Sequence, residues 1–393
     1  MVKENHTFDN YFTGFPGATS SMTAKLSDGT TLNRVAAPFC DLHVDMSHSH
    51  ASGLTAYHGG KMDGFDNIVA GTYSHQTFRF YPEKQIPSYW AYAKNYVLAD
   101  HFFSTLLAPS SPGHFASAMS FAPHYGNADD NCDPKTDPGC DEGKGCNSPA
   151  TSTVQVFNND TCATSTKYPC FDVPTVVEEL PKGFTWRAYA AGSGSDISTP
   201  YAMVKSIGGD PAVRAAHFRS TSKLLDDLTS GDQPNLVWAD VNGGDESEHP
   251  PRHPCPGENF TVDIVNAIMN GPHWMDTVFI LTWDDWGGWY DNVKPTHDAC
   301  GYHTGFRLPL IIISPYAKKG FILKTPAEQA SIPKLVEDLW GLPRLAKQDS
   351  RARDEAAGSL LDALDFVSPP RTDKVLRTKR TDCPKADDLS CNP

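Results

Sequence analysis

From residue 175 onward, short apolar runs alternate with amphipathic stretches. Residues 184–190, 235–240, 277–283 and 308–314 are apolar runs of strand length, rich in β-branched and aromatic side chains. Residues 176–180, 221–228, 261–269 and 331–339 space their apolar positions for helices, and 353–366 reads as a last helix. Strands alternating with helices predict an α/β fold, a mostly parallel central sheet with helices on both faces. Residues 1–125 mix short apolar runs with Gly and Ser turns. Residues 126–170 lose all periodicity and are rich in Asn, Asp, Pro, Gly, Thr and Cys, which predicts a long loop insertion. The expected organisation is a main domain over 1–366 with the insertion at 126–170, and a surface tail at 367–393.

Composition narrows the class. The 393 residues are 39% hydrophobic and 11% aromatic, which suits a globular chain. With 33 Lys+Arg against 47 Asp+Glu the formal charge is -14, so the basic footprint of a nucleic-acid binder is missing. No apolar run approaches the roughly 18 residues of a membrane-spanning helix, and no transmembrane segment is expected. Of ten cysteines, Cys132, Cys140, Cys146, Cys162 and Cys170 crowd the insertion. Cys383 and Cys391 are expected to close a loop at the C-terminus. No CxxC pair occurs and the spacing fits no zinc pattern. Disulfides in a secreted or extracellular protein are the expected reading. Asn159-Asp160-Thr161 and Asn259-Phe260-Thr261 are glycan-acceptor triplets. The Met1-Val2-Lys3 lead is too short for a signal peptide, as expected of a mature form or a fragment.

In parallel sheets, ligands bind beyond the carboxyl ends of the strands. The strand 277–283 delivers Asp284 and Asp285 there, followed by Trp286-Gly287-Gly288. Adjacent carboxylates repel, so such a pair calls for a cation or several donors. Glu4-Asn5 supplies two more oxygen donors suited to a hard cation. Ser110 and Ser111 precede Pro112 at the start of a helix running through 116–121. A Ser there is usually a helix cap. The same place also favours a phosphate group, and a hydroxyl held against a metal becomes a nucleophile. His48 and His249 lie in polar loops expected to follow strands. They are candidates to contact phosphoryl oxygens and to protonate a leaving alkoxide.

Together these stretches resemble the phosphoesterase family of bacterial phospholipases C, plant non-specific phospholipases C and related acid phosphatases, of the alkaline-phosphatase-like superfamily. Glu4-Asn5-His6-Thr7-Phe8-Asp9-Asn10-Tyr11-Phe12 resembles its ENxSFDxYFG box. Gly59-Gly60-Lys61-Met62-Asp63-Gly64-Phe65 is similar to GGKMDGF, and Ser247-Glu248-His249-Pro250-Pro251 to SEHPP. Asp284-Asp285-Trp286-Gly287-Gly288-Trp289-Tyr290-Asp291 resembles DExGGxYDH, and Gly305-Phe306-Arg307-Leu308-Pro309 with Ile313-Ser314-Pro315 resembles GxRVPxxxISP. The resemblance implies an alkaline-phosphatase-like fold and hydrolysis of phosphate esters. Glu4, Asn5, Asp284 and Asp285 would bind one divalent metal ion: calcium, magnesium, manganese or zinc. The nucleophile follows the DxxF box, here Asp100-His101-Phe102-Phe103, and falls on Ser110, with Ser111 a lesser candidate. His48 and His249 would contact the phosphoryl group or act as general acid. The expected activity is phospholipase C type cleavage of phospholipid head groups at a membrane surface, through a phosphoseryl intermediate. The alternative is an acid phosphatase acting on monoesters.

Several positions depart from the family. Only three residues precede Glu4, so the first strand is expected to be cut short. Asp285 stands where Glu is usual, Asp291-Asn292 replaces Asp-His, and Gln329-Ala330 stands where a His is common. Two rivals follow. Ser110-Ser111-Pro112-Gly113-His114 distantly echoes the sulfatase (C/S)xPxR signature, but His114 occupies the arginine position. A catalytically inactive exported binding protein is the other.

Overall fold

A computed structural model describes residues 1–39, 44–68, 75–120, 145–157, 164–190, 199–241, 243–295, 298–299 and 302–384. Eight strands concern the site: β1 (Val2–Lys3), β2 (Val97–Ala99), β3 (Trp186–Ala190), β4 (Phe218–Ser220), β5 (Leu236–Ala239), β6 (Phe279–Trp283), β7 (Leu310–Ile313) and β8 (Phe321–Leu323). Among the described residues they form a sheet in the order β1-β6-β7-β2-β8 and a second in the order β5-β3-β4. A parallel bridge from Val2 to Asp240 joins the two. Only β7 runs against its neighbours, so the expected mostly parallel α/β sheet is present. Every residue of β2 and β7 is buried, as strands covered on both faces must be.

The helices that matter for the site and its surroundings are α1 (Phe8–Phe12), α2 (His50–Tyr57), α3 (Pro87–Asn95), α4 (Ser110–Met119), α5 (Leu224–Ser230), α6 (Pro254–Asn270) and α7 (Ser331–Trp340). Strong sequence signals set their ends. Thr7 caps α1 through its side chain, Pro254 opens α6, and Gly231 and Gly341 end α5 and α7 in the left-handed region.

Three expectations are corrected. Residues 353–366 form turns with one 3-10 turn, Leu361–Ala363, instead of a helix. Gly358 packs on the Pro326 carbonyl too closely for any side chain, so the segment is moulded to the domain surface. Residues 176–180 are likewise turns. Cys383 does not pair within the tail: it bonds to Cys255 at the start of α6, with Cα atoms 5.4 Å apart. The tail is thus strapped to the domain, and Asn259 and Asn266 of α6 bind its backbone at Arg380 and Arg377. In the insertion, Cys146 bonds to Cys170. Cys132, Cys140, Cys162 and Cys391, and the Asn159 triplet, lie outside the described residues.

An apolar cavity lined by Leu236, Trp238, Phe279, Leu335 and Trp340 opens at the amino ends of β5 and β6. The predicted chemistry lies at the opposite, carboxyl ends. Among the described residues no helix is long and apolar enough to cross a membrane.

Candidate active site

Register builds the site. Lys3 of β1 pairs with Trp283 of β6, so Glu4-Asn5 and Asp284-Asp285 leave the sheet side by side. All four are buried. The Asn5 backbone N–H donates to Asp284 Oδ1 at 2.8 Å, and Asn5 turns into the left-handed region at φ 62. Asp284 Oδ1 also accepts from the Asp285 N–H at 2.7 Å, and Asp285 Oδ1 from the Gly287 N–H at 2.6 Å.

Helix α4 brings the serine. Pro109 precedes the first turn and makes no side-chain cap, so Ser110 does not serve as the expected cap. Its Oγ donates to Asp285 Oδ2 at 3.0 Å and lies 3.3 Å from Asn5 Oδ1. Ser110 is half-buried, whereas Ser111 is fully buried. Of the two, Ser110 is the one open to a substrate. Gly113 lets α4 approach: a Cβ there would meet the Asp284 carbonyl oxygen at 2.1 Å. Gly113→Ala is therefore expected to cost about 1–3 kcal/mol of stability and to lower turnover, read by urea unfolding beside an activity assay.

His48 and His249 face the same amide. His48 Nδ1 donates to the Met46 carbonyl at 2.7 Å, and His249 Nδ1 to the Pro250 carbonyl at 2.6 Å. Each ring is thereby oriented with Nε2 toward Asn5, at 3.3 Å and 3.1 Å from Asn5 Nδ2. The Trp286 indole donates to the His48 carbonyl at 3.1 Å, and Phe65 of the Gly59-to-Phe65 box packs on Trp286. That box therefore braces the site through packing.

His114, which the sequence shows only as a missing arginine, is a further buried participant. One helical turn beyond Ser110, it bonds to Asp240 Oδ1 through Nδ1 at 2.9 Å and to Glu4 Oε1 through Nε2 at 3.0 Å. Asp284 Oδ2 lies 3.5 Å away. Burial alone would lower its pKa. The bonds to Asp240 and Glu4, with the charges of Glu4 and Asp284, outweigh burial and raise it well above the ordinary value. The (i, i+4) spacing from Ser110 was the signal that could have placed it here. Gln329, at the position where a His is common, donates to the Asp284 carbonyl at 2.5 Å and accepts from the Thr105 N–H at 3.0 Å. It holds the strand end. Asn292 accepts from Arg307 at 3.1 Å, a structural role away from Ser110.

The donor set fits a divalent cation. Burial, and after it the neighbouring carboxylates Glu4 and Asp284, push Asp284 and Asp285 up to about 7. A cation among them would hold them ionised. The Asn5 side-chain amide lies 3.1 Å from Glu4 Oε2 and 3.2 Å from Asp284 Oδ1. With its oxygen turned to them the amide would complete an oxygen donor set of the kind that suits a hard cation. Glu4, His114 and Asp284 can bring one ligand atom each within 4.8 Å of one another, and Asp45, His48 and His249 can do the same.

Residues 1–343 match the Phosphoesterase family, and the chain belongs to it. It is a phosphoric ester hydrolase. It is 24% identical over 431 residues to phospholipase C A of Mycobacterium tuberculosis, covering 95% of this chain and 77% of that one. It is 23% identical over 428 residues to the hemolytic phospholipase C of Pseudomonas aeruginosa, covering 93% of this chain but only 55% of that longer one. Among solved structures, a protein in the alkaline phosphatase superfamily from Vibrio parahaemolyticus aligns over 65% of this chain and 60% of its own, with 12% identity and a TM-score of 0.39.

Proposed function

We propose that the chain is a metal-dependent phospholipase C type enzyme that uses Ser110 as its nucleophile. The observation that carries this reading is the placement of the Ser110 hydroxyl. It stands at the N-terminus of α4, hydrogen-bonded to Asp285 and beside Asn5. The relatives named above support the phospholipase C assignment.

Glu4, Asn5, Asp284 and Asp285 would hold the divalent cation, with His114 as their buried counter-ion. A cation there supplies charge neutralisation to the phosphoryl oxygens and acidifies a nearby hydroxyl. The protein's own groups do the rest. Asp285 takes the hydrogen bond, and then the proton, of Ser110. Ser110 Oγ forms the new bond to phosphorus as the bond to the leaving oxygen breaks. The N–H groups opening α4 face the phosphoryl oxygens. A protonated His249 or His48 gives its Nε2 proton to the leaving oxygen. Water then breaks the Ser110–phosphorus bond and restores the hydroxyl. Phospholipid is the proposed substrate, met at a membrane surface outside the cell, where the disulfides persist.

The test is hydrolysis of p-nitrophenyl phosphorylcholine beside p-nitrophenyl phosphate, with and without chelator. The expected result is faster diester cleavage that is lost on chelation and restored by added divalent cation. Faster monoester cleavage would make the protein a phosphatase using the same site. Activity untouched by exhaustive chelation would remove the metal from the proposal.

A further inference from the structure

Glu248 stands outside the roles assigned above, yet it is fully buried beneath the site. It lies in the left-handed region at φ 74, a conformation that a non-glycine residue holds only when its surroundings enforce it. The turn sends the Glu248 side chain inward while His249 faces Asn5. Each carboxylate oxygen meets two donors. Oε1 accepts from Lys3 Nζ at 2.5 Å and from the Tyr89 hydroxyl. Oε2 accepts from the Tyr11 hydroxyl at 2.6 Å and from the Trp283 indole N–H at 3.0 Å. Lys3 Nζ also donates to the Gly257 carbonyl of α6 at 2.7 Å. A Cβ on Gly257 would meet Glu248 Cγ at 2.2 Å, so the helix passes here only as glycine.

The sequence positions of these partners matter more than their number. Lys3 immediately precedes Glu4-Asn5, Trp283 immediately precedes Asp284-Asp285, and Glu248 immediately precedes His249. Two further bonds repeat the linkage: the Glu4 N–H donates to the Ser247 carbonyl at 3.0 Å, and the His6 side chain bonds through Nε2 to the Glu248 carbonyl at 3.2 Å. Three chain segments far apart in sequence are therefore joined at the residue just before each leaves for the site.

We infer that Glu248 is a positioning residue for this reaction: its carboxylate sets the distance of His249 from the Glu4-Asn5 and Asp284-Asp285 ends. The inference rests on the proposed roles of those residues. A buried carboxylate with four donors has no slack, whereas a neutral side chain of the same shape satisfies fewer of them and lets the segments separate.

The test uses the full chain with Mn²⁺ as probe cation. Glu248→Gln alone strands the Lys3 ammonium, so the informative variant is Lys3→Met with Glu248→Gln, which removes both charges. Three quantities are read: Tm, kcat and KM on p-nitrophenyl phosphorylcholine, and the Mn²⁺ Kd by calorimetry. The expected result is a near-parental Tm and KM, with kcat lowered and the Mn²⁺ Kd raised by about 10-fold or more, as for other supporting partners of metal sites. Parental kcat and Kd in the double variant would overturn the inference and leave Glu248 as a counter-ion for Lys3. If that variant does not fold, Trp283→Phe decides, since it removes one donor and no charge. Lowered kcat with raised Kd at parental Tm supports the inference, and parental values overturn it. Ser110→Ala run alongside keeps the readings apart. Normal turnover there would fail the nucleophile assignment, while Mn²⁺ affinity would still report on Glu248.

Discussion

Ser110→Ala is expected to lose turnover by on the order of 10³-fold or more in kcat while its Tm stays close to the parent's. A loss of that size is about 4 kcal/mol of transition-state stabilisation, far beyond what one half-buried hydroxyl contributes to folding. The variant keeps Glu4, Asn5, Asp284 and Asp285, so it should still bind Mn²⁺. It keeps the N-terminus of α4 and both histidines, so it should still bind substrate with a similar KM. Acid quenching of the parent during turnover should trap phosphorylcholine on a peptide containing Ser110, and the variant should yield none. Near-parental turnover would return the nucleophile's role to water or to another hydroxyl. Fully buried Ser111 would need the helix to shift before it could serve.

The strand ends were legible in the sequence because local features encode them. The run before Asp284 is apolar enough to be a covered strand, and carboxylates at the end of such a strand need a partner. The structure brings Glu4, Asn5, Ser110, His48 and His249 to the same place as that pair. What was missed depends on tertiary placement. His114 reads as an absence beside a sulfatase signature, and only the helix of Ser110 turns it toward Glu4 and Asp240. Cys383 has Cys391 as its near neighbour in sequence, but its partner, Cys255, depends on where the tail crosses α6. Residues 353–366 carry helix-like spacing in Leu360, Leu361 and Leu364, and the close packing of Gly358 on Pro326 overrides it. Lys3 and Glu248 are ordinary charged residues in the sequence. Their burial as a pair is visible only when β1, β6 and the His249 loop meet.

Arg307→Met is expected to be the most destabilising single change away from Ser110, and more so at pH 8 than at pH 5. The guanidinium is fully buried over the Phe8 ring at 4.1 Å. It pairs with Asp9 at 3.2 Å, Asp100 at 3.1 Å and Asp291 at 3.1 Å, and donates to the carbonyls of Thr19 and Asp100. Asp9 has one further cation, Arg34, at 3.5 Å. Removing one partner from a buried ionic cluster leaves uncompensated carboxylates and costs about 3–5 kcal/mol. The sign of the pH dependence follows from the same groups. Burial, then Asp291, already pushes Asp9 up to about 7, and Arg307 and Arg34 pull against that rise. Burial raises Asp291 as well, with Arg307 the largest opposing influence. Without Arg307 both carboxyls rise further, so the folded state binds protons that the unfolded chain, with Asp near 3.9, does not hold. Stability then falls as pH climbs from about 4 through the folded values, and acid partly rescues the variant. Urea unfolding of parent and variant at pH 5 and pH 8 measures this. The expected deficit is the larger at pH 8. An equal deficit at both values would mean that Arg307 acts through shape and its carbonyl bonds, and that Arg34 alone keeps the cluster charged.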